Sequence, residues 1–227
     1  MGVSNSIELQ RRTGHAIKIP LRTIYKVSKS ICKISCMERH GTGFFMLLND
    51  IKCIFTNYHI ISKDLINKVI NIEIYNNYNY DKKSIDIILD KKYTKFFEDL
   101  DITILEINDS YEKELIKEIE FLDYDSNFIK GYNQYKDIDI FTLQFPRDDI
   151  EVASGKVKEI CNDFEFKHTI DTEYGASGSP IILPVILKVI GIHKWGEKYE
   201  NFNYGTFIGE IFKKNRLNEK DNKKKYQ

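Results

Sequence analysis

Short runs of β-branched and aromatic residues, separated by polar turns, recur along most of the chain. Six of them occupy residues 29–36, 42–48, 52–61, 69–75, 84–90 and 101–107. Six more occupy residues 137–145, 155–161, 164–170, 179–184, 187–193 and 205–211. Because runs of this length and composition are typical of strands, the pattern predicts an all-β chain with two groups of six strands.

Helical periodicity is weak by comparison. It is limited to residues 110–119, which are polar enough to form a surface connection between the two strand groups. The last residues are charged and lack apolar periodicity, which predicts a frayed helix end and a disordered tail. A chain of 227 residues could form one all-β domain or two small barrels that share a cleft.

The overall charge argues against a nucleic-acid partner. Lys and Arg total 34, and Asp and Glu also total 34, so the formal net charge is zero. No apolar run approaches the ~20 residues of a membrane-spanning helix, and the N-terminus lacks the apolar segment of a signal peptide. We therefore expect a cytoplasmic protein whose four cysteines are reduced.

One group of residues suggests a metal site. Cys32, Cys36 and His40 follow one another at four-residue spacing. Three ligands at this spacing fit no common zinc pattern, and ordinary core and loop roles explain the three residues better. We therefore expect no metal ion and no cofactor.

The stretch TEYGASGSPIIL, residues 172–183, places bend-forming residues directly before an apolar strand. A plain turn is one interpretation. The other is a nucleophilic Ser177 held against backbone N–H groups, which requires a histidine and a carboxylate elsewhere in the chain. His59 ends one predicted strand and Asp101 begins another, so the chain supplies both in the order His, Asp, Ser.

These segments resemble the chymotrypsin-like serine proteases. The family's Thr-Ala-Ala-His and Asp-Ile-Ala/Thr-Leu-Leu patterns are approached by TNYH at 56–59 and DITIL at 101–105. Its Gly-Asp-Ser-Gly-Gly-Pro and Gly-Ile-Val-Ser-Trp-Gly patterns are approached by GASGSP at 175–180 and GIHKWG at 191–196. The four matches keep the family order within about residues 28–212.

The resemblance implies two six-stranded antiparallel β-barrels with the active site between them. On this basis we predict an N-terminal arm (1–20), a first barrel (21–112), a linker (113–131), a second barrel (132–212) and a charged tail (213–227).

The resemblance also implies a serine endopeptidase that cuts protein or peptide substrates. Ser177 would be the nucleophile, His59 the general base and Asp101 the carboxylate that orients it, while the N–H groups of Gly175 and Ser177 would form the oxyanion hole. Asp99 is the competing carboxylate, but Asp101 matches the family spacing. The alternative is a catalytically silent protease-like fold that acts as a protein-binding module.

The resemblance gives conflicting indications for the substrate-binding pocket. His193 and Thr172 match the residues with which glutamyl endopeptidases and picornaviral chymotrypsin-like cysteine proteases bind a Glu or Gln side chain. Asp171 matches the aspartate with which trypsin-like members bind Arg or Lys, and Trp195 and Gly196 also match the trypsin-like pattern. We expect cleavage after Glu or Gln, because an imidazole N–H and a hydroxyl are both donors.

A separate pattern lies at the N-terminus. The first six residues, MGVSNS, match the N-myristoylation pattern, which would place an acyl chain on Gly2. One acyl chain binds a membrane only weakly, so a second attraction is needed. Candidates that could attract anionic lipid are the basic residues Arg11, Arg12, Lys18, Arg22, Lys26 and Lys29. The alternatives are that the motif occurs by chance and that the basic residues simply solvate an N-terminal arm. Acylation of Gly2 would place the protein at the inner face of a membrane.

Overall fold

The computed structural model describes residues 6–10, 16–76, 81–107, 119–147, 149–162, 164–196 and 201–214. Most of these residues lie in strands, which form a short N-terminal hairpin and two seven-stranded sheets. No helix in the described ranges is long and apolar enough to cross a membrane.

The described chain begins with three short elements, β1 (Ser6–Gln10), β2 (Ala16–Pro20) and helix α1 (Leu21–Ser28). The two strands pair as an antiparallel hairpin. Helix α1 buries Ile24 and Val27 and exposes Arg22 and Lys26. None of these three elements was predicted from the sequence.

The first large sheet contains the strands β3 (Ile31–Cys36), β4 (Arg39–Leu48), β5 (Ile51–Thr56), β6 (Val69–Asn76), β7 (Asp81–Ile88), β8 (Thr94–Phe97) and β9 (Ile102–Glu106). Their order is β7-β6-β3-β4-β5-β9-β8, and all neighbours are antiparallel. Ile34, Ile72 and Ile85 form a buried row across three strands. This row fixes the register, because a slip of one residue would turn it toward solvent.

The second large sheet contains the strands β10 (Asp123–Tyr124), β11 (Asp139–Gln144), β12 (Glu151–Ile160), β13 (Glu165–His168), β14 (Pro180–Ile182), β15 (Lys188–Gly196) and β16 (Asn203–Phe207). Their order is β10-β15-β14-β11-β12-β13-β16, and β15 also pairs with β16. That pairing closes a six-stranded antiparallel barrel, while β10 joins β15 in parallel outside the ring.

The predicted all-β fold is confirmed, and the six predicted C-terminal strands are the six that form the closed barrel. The N-terminal group differs from the prediction of six strands, because the four-residue strand β8 adds a seventh. Its edge strands β7 and β8 do not pair with each other in the described residues. Gly2, residues 110–118 of the predicted surface connection and the tail from 215 onward lie outside the described residues.

The two sheets share an apolar core. One cluster of buried side chains lies within the first sheet, and a second runs from that sheet into the closed barrel. The second cluster contains Phe44 and Phe55 from the first sheet and Phe141 and Phe207 from the second. Ser177 and the two glycines beside it lie at this junction, against β4.

Candidate active site

His59 lies in a tight turn immediately after β5. The N–H groups of Ile60 and Ile61 both donate to the carbonyl oxygen of Asn57, at 3.2 and 3.1 Å. The Asn57 side chain in turn donates from Nδ2 to the carbonyl oxygen of Asp101 at 2.9 Å. The histidine turn is therefore tied to the segment that carries Asp101.

The Asp101 carboxylate binds His59 at two points. Its Oδ1 accepts the His59 backbone N–H at 3.0 Å, and its Oδ2 lies 2.8 Å from His59 Nδ1. This contact places the ring proton of neutral His59 on Nδ1 and leaves Nε2 able to accept a proton. Asp99, the competing carboxylate, instead forms an ion pair with Lys214.

The backbone of Asp101 explains part of this geometry. Its φ of 55° lies in the left-handed region, which Asp tolerates better than most residues. The residue joins a short 3-10 turn, Glu98–Leu100, to β9. The Asp101 carbonyl also accepts the N–H of Tyr58 at 3.1 Å, so both its backbone and its side chain are fixed by residues 57–59.

The serine loop requires glycine at two positions. Gly175 and Gly178 have φ values of +99° and +89°, in the left-handed region. A methyl group on Gly175 would lie 2.4 Å from the Phe145 carbonyl oxygen, and one on Gly178 would lie 2.1 Å from that of Thr42. The glycines therefore let the loop pack directly against two backbone segments.

The backbone N–H groups of the loop fall into two sets. Those of Ala176, Gly178 and Ser179 donate to the carbonyl oxygens of Glu173, His193 and Ala176, each at 3.0 Å. Those of Gly175 and Ser177 have no acceptor among the described residues. Two free donors one residue apart could bind an anionic oxygen beside Ser177.

Ser177 lies beside the histidine turn. Its carbonyl oxygen accepts the N–H of Thr42 at 2.8 Å. A methyl group on Gly41 would lie 2.9 Å from that same oxygen and 3.0 Å from Cδ1 of Ile60, the residue after His59. The Ser177 hydroxyl donates to the Lys194 carbonyl oxygen at 2.9 Å, and no hydrogen bond joins it to His59 within the described ranges.

A pair of buried histidines lies behind the serine loop. Strand β15 runs beside the loop, where the His193 N–H donates to the Ser179 carbonyl oxygen at 2.9 Å. His193 Nδ1 lies 3.2 Å from His168 Nε2, and His168 Nδ1 accepts the N–H of Ile170 at 3.3 Å. Neutral His168 therefore carries its proton on Nε2, and His193 carries its own on Nε2.

Burial controls the charge of both rings. It lowers the pKa of His168 well below its usual range, and the neighbouring His193 lowers it further. Burial, and to a lesser extent the nearby His59, lower the pKa of His193 to about 3. The backbone carbonyl of Tyr204 partly opposes both shifts. Both imidazoles are therefore neutral near pH 7.

The other predicted pocket residues differ in exposure. Thr172 is half-buried, and its Oγ1 would lie 3.9 Å from a methyl group on Gly196. Asp171 is exposed, and its carbonyl oxygen accepts the Gln144 side chain at 3.2 Å. Trp195 is half-exposed and stacks on Tyr204, with ring centroids 4.4 Å apart. The structure thus brings Thr172 near Gly196, and Asp171 is far more accessible to solvent than His193.

The sequence analysis missed three residues of this region, namely His168, Lys194 and Glu165. His168 lies on the face of β13 that also carries buried Phe166, so an alternating strand pattern was the signal available. The contacts of His168 with His193 and of Glu165 with Lys194 join distant parts of the chain and cannot be predicted from periodicity.

Cys32, Cys36 and His40 have the spacing that was considered as a metal site and set aside. No group of three His, Cys, Asp or Glu side chains within the described ranges is placed to hold a metal ion. Cys32 is fully buried, and burial raises the pKa of its thiol. Burial also raises the pKa of Cys53 to about 12. Both thiols therefore stay protonated, a form that binds metals poorly.

Comparisons with known proteins identify the family. Residues 41–192 match the family model described as a trypsin-like peptidase domain. Because this match covers more than half of the chain, the protein belongs to the trypsin-like peptidase domain family. By family and fold it is a chymotrypsin-like serine protease. No curated protein sequence is significantly similar to the chain.

Several solved structures have a similar fold. Deg5 is 19% identical, with a TM-score of 0.61 over 84% of this chain and 89% of that one. The active form of the Rv3671c protease from M. tuberculosis is 15% identical, with a TM-score of 0.61 over 83% and 80%. Catalytically active tobacco etch virus protease complexed with product is 15% identical, with a TM-score of 0.57 over 81% and 74%. At these identities the likeness concerns the fold.

Proposed function

We propose that this protein is a serine endopeptidase in which His59, Asp101 and Ser177 form the catalytic triad. The observation that carries the proposal is the Asp101–His59 contact beside a serine loop with two free N–H groups. The family and fold support the same reaction.

The reaction would begin with a rotation of the Ser177 side chain from the Lys194 carbonyl toward His59. Nε2 of His59 then takes the hydroxyl proton as the oxygen attacks the substrate carbonyl. Asp101 holds the ring and stabilises the imidazolium. The N–H groups of Gly175 and Ser177 bind the resulting oxyanion, and such donors typically contribute about 3 kcal/mol each to the transition state.

Breakdown of the tetrahedral intermediate completes the first half of the reaction. His59 donates its proton to the leaving amine, which leaves the acyl group on Ser177. Water then attacks the ester, again with His59 as the base. Ala176 is buried and apolar, so its side chain offers no carboxylate to a newly cut N-terminal amine. We therefore expect activity without activation of that type.

The edge of β15 provides a place for the substrate backbone. Strand β14 pairs with β15 only as far as Ile192. Beyond it, the edge at residues 194–196 has no neighbouring strand in the described part of the chain other than β16. An extended peptide could therefore add to this edge as a further strand, next to Ser177.

A covalent serine-directed probe tests the activity. We expect a fluorophosphonate to label Ser177 in the wild type and to lose its target in Ser177→Ala. The variant His59→Ala should also lose labelling, because the base is gone. Ser126→Ala, in an exposed turn remote in sequence, is the matched control and should label normally. A correctly folded wild type that neither reacts with the probe nor cuts any peptide would favour the alternative, a protein-binding module.

We further propose that the pocket favours Glu or Gln before the scissile bond. Support comes from neutral, buried His193, whose Nε2 carries a proton, and from the hydroxyl of half-buried Thr172. Both are donors for a carboxylate or amide oxygen. Asp171 is exposed, which argues against a buried site for Arg or Lys.

A peptide library varied at the residue before the cut tests this preference. We expect His193→Ala to reduce cleavage after Glu and Gln by far more than Asp171→Ser does. A wild-type preference for Arg or Lys that Asp171→Ser abolishes and His193→Ala leaves intact would contradict the proposal.

We also propose that the protein is cytoplasmic and associates with anionic membranes through its N-terminal region. Lys18, Arg22 and Lys26 are exposed and, like Lys29, form no ion pair with an acidic side chain in the described residues. Leu21 beside them is 47% exposed. An exposed apolar side chain among unpaired cations suits a lipid surface.

Two measurements test the membrane proposal. Mass spectrometry of protein from a myristoylation-competent cell should find the acyl group on Gly2, and Gly2→Ala should release the protein from membranes. Unacylated protein should bind vesicles with phosphatidylserine more than vesicles of phosphatidylcholine alone, and Arg22→Glu with Lys26→Glu should abolish the difference. An unmodified Gly2 together with equal binding to both vesicle types would contradict the proposal. Preferential binding of RNA over the vesicles would also contradict it.

A further inference from the structure

Strand β15 contains an irregularity next to the proposed nucleophile. His193 pairs with Gly205 of β16, and Trp195 pairs with Tyr204, so Lys194 has no partner residue on β16. Lys194 is therefore the extra residue of a β-bulge, a device that often redirects backbone groups next to active sites. Its carbonyl oxygen accepts the Ser177 hydroxyl at 2.9 Å.

The side chain of Lys194 is fixed at its other end. Lys194 is 9% exposed, although lysine is seldom buried without a partner. Its Nζ forms an ion pair with Oε1 of Glu165 on β13. Strand β16 lies between β13 and β15, so this ion pair spans a whole strand. Because desolvation offsets much of the attraction in such a pair, a buried ion pair is weak evidence for stabilisation.

We propose that the Glu165–Lys194 ion pair is a positioning device that holds the bulge with its carbonyl facing Ser177. Neither residue is a catalytic group; both act through the Lys194 carbonyl. That carbonyl holds the serine hydroxyl while the cleft is empty. A backbone N–H of an arriving peptide competes for the same oxygen, so binding of the peptide releases the hydroxyl to turn toward His59.

The kinetic part of this inference rests on the proposed function. The test variant is Glu165→Gln, which removes the charge and keeps the size of the side chain. We expect kcat/KM for peptide substrates to fall about tenfold or more, with a rise in KM, because a displacement of about 1 Å at a reacting group is costly. The concentration of active sites is determined by titration with the fluorophosphonate, so that misfolded protein does not affect the calculated rate constants.

Three further variants separate positioning from general stability. Lys194→Arg keeps the charge and should retain most of the activity. Glu165→Lys combined with Lys194→Glu should reverse part of the rise in KM. Asp123→Asn breaks another lysine ion pair on the same strand, at Lys188, and should leave KM unchanged. A Glu165→Gln variant that loses only active-site concentration, with normal KM, would overturn the proposal.

Hydrogen exchange tests the inference without relying on catalysis. Amides of residues 193–196 should exchange about tenfold faster or more in Glu165→Gln than in the wild type or in Asp123→Asn. Unchanged exchange would overturn the positioning role even in an active enzyme. If exchange is faster in Glu165→Gln but the wild type never reacts with the probe, the proposed function would be contradicted and the structural part of the inference would be supported.

Discussion

His168 and His193 lie 3.2 Å apart, Nε2 to Nδ1, with both rings buried in the C-terminal barrel. Each neutral ring satisfies part of the other's hydrogen-bonding capacity, and the two residues are almost entirely shielded from solvent. Adding a proton to either ring would place a charge in the barrel interior and remove an acceptor. The pair therefore links the acid stability of the barrel to the side chain proposed to bind the substrate.

Acidification should destabilise the protein because of this pair. Unfolded histidine takes up a proton near pH 6.5, whereas folded His193 does so only near pH 3. Below about pH 6.5 the unfolded state binds more protons, so the free energy of unfolding falls by about 1.4 kcal/mol per pH unit for each such histidine. Urea titrations between pH 7 and pH 5 should show a shallower dependence in His193→Gln than in the wild type. His40→Gln, at a more accessible ring, is the control and should keep the wild-type slope.

Replacement of Asp101 should distinguish the two candidate carboxylates. Asp101→Asn keeps the shape of the side chain but offers no carboxylate to His59 Nδ1, so we expect kcat to fall by about 10⁴. Asp99→Asn removes only an ion pair with Lys214, and its kcat should stay within a few-fold of the wild type. Steady-state kinetics on purified variants with equal melting temperatures provide the measurement. The reverse ranking would assign the role to Asp99.

Replacement of Gly178 should damage the fold as well as the activity. Gly178→Ala combines a left-handed backbone with a methyl group 2.1 Å from the Thr42 carbonyl oxygen. We expect it to lower the free energy of unfolding by about 3 kcal/mol or more. Gly131 has a similar φ of +96° but nothing within 4 Å of an added methyl group, so Gly131→Ala should carry only the backbone strain of about 1–3 kcal/mol and cost less than Gly178→Ala. If steric contact were unimportant, chemical denaturation would show the same loss in the free energy of unfolding for Gly178→Ala and Gly131→Ala.

The hydroxyl of Thr42 joins the two sheets through two buried hydrogen bonds. It donates to the Gly175 carbonyl oxygen at 2.8 Å and accepts the Phe145 N–H at 2.9 Å. Thr42→Val leaves both backbone groups without this partner, so we expect a loss of about 1–3 kcal/mol in stability and a marked loss of activity. Thr142→Val is the control, because the hydrogen bond of that buried hydroxyl within the described part of the chain goes to the next residue, at 3.3 Å from the Leu143 carbonyl oxygen. Equal effects of the two variants on activity would contradict this explanation.

Most of the strands and the residues of the candidate site could be predicted from the sequence. All twelve predicted strands are present. They could be predicted because each contains a run of apolar residues that is recognisable on its own. Strand β8 was missed because its apolar residues, Phe96 and Phe97, are adjacent and show no alternation, and α1 was missed because it has only two turns. The proposed triad, which stays a prediction, was found because bends and strand ends mark its positions.

What the sequence could not provide was the pairing of distant side chains. His168 and His193 are 25 positions apart, and Glu165 and Lys194 are 29 apart. Their contacts depend on the closure of β15 on β16, which no local pattern indicates. The match to the trypsin-like family also ends at residue 192, so it leaves out His193, Trp195 and Gly196. The predicted domain boundaries likewise stay predictions.

The Thr42 hydroxyl also helps to fix the position of one half of the proposed site against the other. The proposed base and its carboxylate belong to one sheet, the nucleophile and pocket belong to the other, and this hydroxyl spans the seam between them. A shear of about 1 Å along the seam would leave the strand pairing within each sheet intact, yet misplacement on that scale can cost about a hundredfold in rate. Small displacements of one half against the other would therefore tune the rate of an otherwise intact enzyme.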